Sequence, residues 1–116
     1  MTFSKTDRST QLKQGIKFFN SGKYFEAHEA WEKLWLEAND DQRLLYQGLI
    51  HTAVGLYHLE KDNVRGGHSQ LRKALSKMNP YEKSSCIIDL PDLISQIQMV
   101  LERKISTAPL MKFSNL

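Results

Sequence analysis

The segment from Leu44 to Leu59 constrains the fold of this 116-residue chain more than any other. It contains no Lys, Arg, Asp or Glu, and as a helix it carries apolar side chains almost all round. A helix of this kind is covered by neighbours on most sides, so it predicts the centre of a helical bundle. The segment is shorter than the ~18 residues that a membrane span requires, and it includes Gln47, His51 and His58. We therefore predict a buried helix and no membrane partner.

Apolar residues at i, i+3, i+4 and i+7 predict about five helices and no strand before Met78. The first helix is expected to begin after Asp7 or Ser9, since either residue is a suitable N-cap. The others are predicted at about 23–38, 42–61, 64–78 and 90–105, the last with Pro91 in its first turn. Residues 106–116 are expected to be a weakly ordered tail. The fold class is all-α, a compact bundle that forms a single domain over residues 1–116.

Composition limits the class of protein and its location. The chain is 41% hydrophobic and 25% charged with a net charge of +3, which is typical of a soluble globular domain. Its single cysteine, Cys86, argues against a disulfide scaffold or a cysteine-ligated zinc site. Residues 1–10 are polar and contain no apolar run suited to a signal peptide, which predicts a cytoplasmic protein.

The chain resembles itself at an offset of 40 residues. The shift places Gly15 on Gly55 and Trp31 on Leu71, so two helix pairs carry small and large residues at matching positions. This spacing is typical of tetratricopeptide-like hairpins, in which small residues let two antiparallel helices approach closely. The alternative is that any two amphipathic hairpins align this well. We predict two such hairpins followed by a C-terminal helix.

The second and third predicted helices carry the residues best suited to chemistry. His28 and Glu32 lie one turn apart on one helix face, and the third helix has a polar stripe that includes His51. If these helices pack together, the two sets are expected to hydrogen-bond to each other, because an unpaired buried polar group costs about 1–3 kcal/mol. The predicted cluster between helices 2 and 3 consists of Glu26, His28, Glu29, Trp31, Glu32, Trp35, Gln47, Gly48, His51 and His58.

Three interpretations of this cluster stay open. The first is a buried hydrogen-bond network that fixes helix register. The second is a pocket for a small ligand or peptide with Trp31, Trp35 and Tyr57 as walls, which makes the protein a binding or interaction module with a protein or small-ligand partner. The third is a divalent-metal site of a hydrolase-like enzyme. The candidate metal ligands are His28, Glu29, Glu32 and His51.

The metal interpretation is weakened by the absence of a His-Glu-x-x-His or Glu-x-x-His run. No nucleophile stands out, so the sequence does not decide whether the protein is an enzyme. A homodimer is a further expectation, because an open pair of hairpins leaves apolar surface uncovered.

The excess positive charge lies in residues 41–80, which hold six positive and three negative side chains. On the fourth helix Arg65, His68 and Arg72 form a basic stripe with Lys73 on its flank. Such a face is suited to phosphates or to an acidic partner. The favoured alternative is a solvated helix face, since no exposed aromatic residue is interleaved to stack nucleic-acid bases.

One long run spans residues 19–35 and reads FNSGKYFEAHEAWEKLW; it is followed by QGLIHTA at 47–53, YH at 57–58 and NVRGG at 63–67. Together these runs resemble the family catalogued as domain of unknown function 309, over about residues 12–80. The resemblance implies a small all-α protein whose activity is unassigned. It also implies importance for the motif residues, which are Glu26, His28, Glu29, Trp31, Glu32, Trp35, Gln47, Gly48, His58 and Gly67.

Overall fold

The computed structural model describes residues 5–84, 86–103 and 108–114. These form the helices α1 (Lys5–Asn20), α2 (Tyr24–Glu37), α3 (Arg43–Glu60), α4 (Val64–Met78) and α5 (Leu90–Leu101), with a 3₁₀ turn at Asn79–Tyr81. The described part of the chain has no strand beyond an isolated antiparallel bridge between Ile88 and Phe113. The predicted all-α class is therefore confirmed. Within the same residues, no helix combines the length and apolar character needed to cross a bilayer.

The first four helices pack in chain order, each against the next, and α5 packs against α4. Helix α3 lies between α2 and α4, and its Leu49 and Ala53 have no exposed surface. The prediction that this helix is the centre of the bundle is thus confirmed. A single hydrophobic core runs from Ile16 on α1 to Met111 near the C-terminus.

The two hairpins α1–α2 and α3–α4 share the same turn at the predicted offset of 40 residues. In the first turn the Lys23 amide donates to the Phe18 carbonyl at 2.9 Å, and in the second the Asn63 amide donates to the His58 carbonyl at 2.8 Å. The residues with left-handed backbone correspond as well, and they are Gly22 (φ 77°) and Asp62 (φ 62°). The internal repeat is therefore present in the backbone hydrogen bonds. Its tetratricopeptide-like character stays a prediction.

In each hairpin the two helices approach closely at an equivalent glycine. A Cβ atom added to Gly15 would lie 2.1 Å from Nε1 of Trp31, and one added to Gly55 would lie 2.9 Å from Cδ2 of Leu71. Neither Trp31 nor Leu71 has exposed surface. Each glycine therefore provides the space into which the large residue 16 positions later packs.

The ends of the terminal helices differ from the prediction. Because α1 already includes Lys5, the two residues expected as N-caps lie inside the helix, with Asp7 in its first turn. A carboxylate at that position is stabilised by the helix dipole, so an acid near a helix start does not identify the cap itself. At the other end α5 stops at Leu101 and Arg103 adopts left-handed backbone (φ 58°), whereas the prediction extended the helix to about 105.

Residues 108–114 pack against the helices, which differs from the weakly ordered tail expected from sequence. The side-chain amide of Asn20 pairs with the backbone of Met111 through hydrogen bonds of 2.9 and 2.8 Å. Gln96 pairs in the same way with Leu110, at 2.8 and 3.0 Å. These side-chain amides bind backbone N–H and C=O groups of the segment, as a neighbouring strand would. The segment therefore needs no secondary structure of its own. Residues 104–107, 115 and 116, which were included in the predicted helix and tail, lie outside the described residues.

Candidate functional site

Helices α2 and α3 line a pocket of about 220 Å³ that is open to solvent. It is called the α2–α3 pocket below. Its exposed lining is almost entirely apolar. One turn of each helix supplies the walls, because residues three and four apart share a helix face. The Phe25 side chain is 55% exposed and that of Tyr57 is 37% exposed, which is high for aromatic residues of their size. The lining residues are Tyr24, Phe25 and His28 from α2 and Val54, Tyr57 and His58 from α3.

On the α2 side of the pocket a histidine contacts a carboxylate of the same helix. Nε2 of His28 lies 2.9 Å from a carboxylate oxygen of Glu32, one helical turn later. The ring of Phe25 lies 5.9 Å from the His28 ring, so the imidazole is held between an aromatic ring and a carboxylate. The prediction that His28 and Glu32 lie one turn apart on one helix face is therefore confirmed.

On the α3 side, His58 is oriented by the turn that leads into α4. Nδ1 of His58 lies 3.5 Å from Nδ2 of Asn63, whose side-chain oxygen accepts the Gly66 amide at 3.0 Å as an N-cap. That cap directs the Asn63 NH₂ group toward the imidazole, so the contact requires Nδ1 of His58 as the acceptor. The ammonium of Lys61 lies 5.5 Å from the Tyr57 ring centroid. The pocket thus has an apolar interior and polar or charged groups beside it.

The phenol of Tyr24 forms part of the buried end of the pocket. Its ring packs edge-to-face on Phe19 with the centroids 5.4 Å apart. Burial raises the pKa of Tyr24, and the negative charge of Glu60 raises it further. The hydroxyl therefore stays protonated and uncharged at neutral pH, as an apolar pocket requires.

The predicted hydrogen bonding between the polar sets of α2 and α3 is wrong for His51. Its Nδ1 lies 2.7 Å from Oε1 of Gln70 on α4. The stripe on α3 finds partners within its own hairpin, because α4 follows directly and packs antiparallel against it. Burial lowers the pKa of His51, and the charges of Lys73 and Lys77 lower it further, while the Gln70 hydrogen bond opposes the shift. Gln47 is half-buried on the same helix.

Two of the three glutamates of the predicted cluster lie elsewhere. Glu26 and Glu29 line a separate, more polar cleft of about 420 Å³ together with α1 residues such as Gln11 and Phe18. Successive helix residues are rotated by about 100°, so Glu29 turns away from the face that carries His28. The single cluster predicted between α2 and α3 is therefore divided among the α2–α3 pocket, this cleft and the α3–α4 contact.

The tryptophans and Gly48 contribute to packing, and the prediction that Trp31 and Trp35 form pocket walls is wrong. Trp31 is fully buried and donates from Nε1 to the Leu12 carbonyl at 3.2 Å. Trp35 is covered by the Arg43 guanidinium, 4.5 Å from its ring centroid. Its Nε1 is buried and has no hydrogen-bond partner among the residues that the structure describes. A Cβ on Gly48 would lie 2.4 Å from Met78, so that position requires glycine for helix contact. Of the three predicted walls, only Tyr57 lines the pocket.

Within the described ranges, no three His, Cys, Asp or Glu side chains lie close enough together to hold a metal ion. The proposed ligands have different surroundings: His28 and Glu32 pair beside the pocket, Glu29 lines the α1–α2 cleft, and His51 contacts α4. A metal site built from these four residues has no geometric support in this arrangement.

Sequence reasoning missed three pocket residues, Tyr24, Phe25 and Val54. The available signal was their spacing, because Tyr24 and Phe25 lie four and three residues before His28, and Val54 lies four residues before His58.

The fold and pocket define the class of protein as an all-α bundle of two repeated helix hairpins with an additional C-terminal helix. The chain belongs to the family described as domain of unknown function (DUF309), which matches residues 12–70 and so includes the entire α2–α3 pocket.

A similar chain is an uncharacterized protein of Aquifex aeolicus (strain VF5), with 29% identity over 105 residues. The aligned region covers 89% of this chain and 32% of the relative. The chain therefore spans about a third of the length of that protein.

Proposed function

We propose that the protein is a binding module and that the α2–α3 pocket receives one apolar side chain of a partner protein. The observation that supports this most directly is an apolar pocket with Phe25 and Tyr57 substantially exposed beside it. Contiguous exposed apolar side chains mark interaction sites on soluble proteins. Aromatic residues are also the ones most often found at energetically dominant positions of protein interfaces.

The size of the pocket favours a single side chain over a whole small-molecule ligand. Pockets for drug-sized ligands have volumes of about 300–1,000 Å³. The α2–α3 pocket is smaller, at about 220 Å³, and it is open at one side. A side chain attached to a larger partner surface fills such a space while the rest of the contact lies outside it.

The groups beside the pocket suit the polar rim of a protein interface. His28 is paired with Glu32, and Lys61 lies over the ring of Tyr57. An apolar centre surrounded by polar groups is the usual anatomy of such interfaces. Nε2 of His58 would also donate a hydrogen bond to a backbone carbonyl of the partner. The alternative of a metal- or carboxylate-dependent enzyme lacks comparable support, because its proposed residues do not lie together at one site. They are His28, Glu29, Glu32 and His51.

Capped amino acids test the proposal without knowledge of the partner. We would titrate ¹⁵N-labelled protein with N-acetyl-phenylalanine amide and N-acetyl-leucine amide, with N-acetyl-asparagine amide as the polar control. At about 0.3 kcal/mol for each of roughly 15 non-hydrogen atoms, the phenylalanine probe should bind with about 4.5 kcal/mol, or a Kd of about 0.5 mM. The amide signals of Val54 and Tyr57 should shift and saturate.

A matched pair of variants on α2 assigns the binding to the pocket. Phe25→Ser removes an exposed ring of the pocket, whereas Leu36→Ser removes an exposed apolar side chain elsewhere on the same helix. We expect a Kd at least fivefold weaker for Phe25→Ser and an unchanged Kd for Leu36→Ser. Equal binding by both variants, equal binding of the asparagine probe, or no saturable shift in the unmodified protein would each refute the proposal.

A further inference from the structure

The face of α4 that is directed away from the core is basic, and the whole helix contains no acidic residue. Viewed along the helix axis at about 100° per residue, His68 and Lys73 lie at the two edges of an arc roughly 140° wide. Arg65 and Arg72 lie between these edges. This arc lies opposite the side that packs in the core, which consists of Gly67, Leu71, Ala74 and Met78. The α4 basic surface is defined here as Arg65, His68, Arg72, Lys73 and Lys77 with the nearby Arg103.

The charged groups that act on two histidines near this surface agree with its basic character. Burial lowers the pKa of His68, and Arg72 and Arg103 lower it further. The pKa of His51 is likewise lowered by burial and then by the charges of Lys73 and Lys77. The charged groups that influence both imidazoles are therefore cations. The Arg8–Asp40 and Asp92–Lys112 ion pairs do not involve residues of this surface.

We propose that the α4 basic surface binds the phosphate backbone of a nucleic-acid duplex. The proposal is independent of the α2–α3 pocket. Positive side chains supply the sequence-independent part of such binding, and exposed hydroxyls supply additional donors to phosphate oxygens. Ser69 and Ser76 provide exposed hydroxyls on the same arc.

The chemistry of the surface favours a duplex over a single strand or a membrane. Single-stranded nucleic acids are held mainly by Phe, Tyr and Trp rings that stack on the bases, and α4 contains none of these three. An amphipathic helix at a membrane inserts its apolar face, but the apolar face of α4 is buried against the rest of the bundle. A duplex requires neither feature, because its phosphates are exposed along both strands.

The length of the surface sets the expected salt dependence. From Arg65 to Lys77 the helix rises about 18 Å, and a DNA duplex carries one negative charge for about each 1.7 Å of its axis. Three or four phosphate contacts would give a slope of log K against log salt of about −2.7 to −3.6. Raising the salt from 50 to 200 mM should therefore weaken binding by about 40- to 150-fold.

The test is fluorescence anisotropy with labelled 25-base-pair duplexes of DNA and of RNA at 50 mM salt. Arg65→Glu/Arg72→Glu reverses two exposed charges of the surface. The matched control Lys13→Glu/Lys17→Glu reverses two exposed charges on α1 and changes the net charge by the same amount. Circular dichroism melting of each variant checks that the fold is retained.

We expect the α4 double variant to weaken binding by more than tenfold and to reduce the salt slope by about two, while the α1 control loses less than threefold. Binding to DNA alone, RNA alone or both supports the proposal and identifies the duplex. No binding of either duplex by the unmodified protein, or equal losses in both variants, would overturn it. The proposal would also be overturned if the surface bound polyglutamate or phosphatidylserine vesicles but neither duplex.

Discussion

Replacing Gly15 by alanine should destabilise the protein although alanine is the better helix former. The added methyl group would lie 2.1 Å from Nε1 and 2.5 Å from Cε2 of Trp31, well inside contact distance. Trp31 has no exposed surface, and its Nε1 donates to the Leu12 carbonyl. The indole therefore cannot move away without disturbing both the core and this hydrogen bond.

The expected magnitude follows from three opposing contributions. Overpacking a core costs about 1–3 kcal/mol. Weakening the Trp31 hydrogen bond costs about 1 kcal/mol more, and the higher helix propensity of alanine offsets about the same amount. The free energy of unfolding should fall by about 1–3 kcal/mol, and at about 4 °C for each kcal/mol the Tm should fall by about 4–12 °C. Gly55→Ala should cost less, because the nearest atoms, Cδ2 and Cγ of Leu71, are 2.9 Å away rather than 2.1 Å.

Urea unfolding of a double-mutant cycle tests the cause of this loss. Trp31→Leu places at position 31 the residue that its repeat counterpart, Leu71, already has opposite a glycine. In that background Gly15→Ala should be neutral or stabilising, which gives a coupling energy of about 2 kcal/mol. The reasoning is refuted if Gly15→Ala costs the same with Trp31 present as with leucine in its place.

Two further predictions concern pH and the C-terminal segment. Because the folded-state pKa of His51 is lowered below about 6.5, the unfolded chain binds more protons, so the free energy of unfolding should fall as pH decreases from 7.5 to 5. Urea unfolding at several pH values should show a weaker dependence in His51→Gln, and an unaltered dependence would contradict this cause. Asn20→Ala should lower the free energy of unfolding by about 1–3 kcal/mol and accelerate hydrogen exchange at the Met111 amide, because two hydrogen bonds are lost; unchanged exchange there would show that Asn20 does not hold the segment.

The three central helices could be predicted to within about one residue at each end. The prediction of 64–78 coincides with α4, and those of 23–38 and 42–61 each extend one residue beyond α2 and α3 at both ends. Their apolar periods are long, and short polar turns separate them. The segment 108–114 could not be predicted in this way, since it has no helical period. Its position depends on amide side chains of Asn20 and Gln96, 91 and 14 residues away from the backbone groups they bind.

The candidate site was predictable only where one helix determines the geometry. His28 and Glu32 pair because they are four residues apart on α2, and spacing is sufficient for that inference. A contact between helices also depends on how far each helix is rotated about its axis, which spacing does not specify. The outcome for His51 illustrates the difference, since its partner Gln70 lies on α4 rather than on α2.

The internal repeat explains how one small bundle can carry two unlike surfaces. Inward positions keep equivalent roles in the two hairpins, because tight helix contact leaves little freedom at Gly15 and Gly55. Outward positions have no such constraint: Phe25, exposed at the α2–α3 pocket, corresponds to Arg65 on the α4 basic surface. Since Phe25 lies on α2 whereas Arg65 and Arg72 lie on α4, changing one surface should leave the other intact. Phe25→Ser should therefore keep full duplex binding, and Arg65→Glu/Arg72→Glu should keep full binding of the phenylalanine probe.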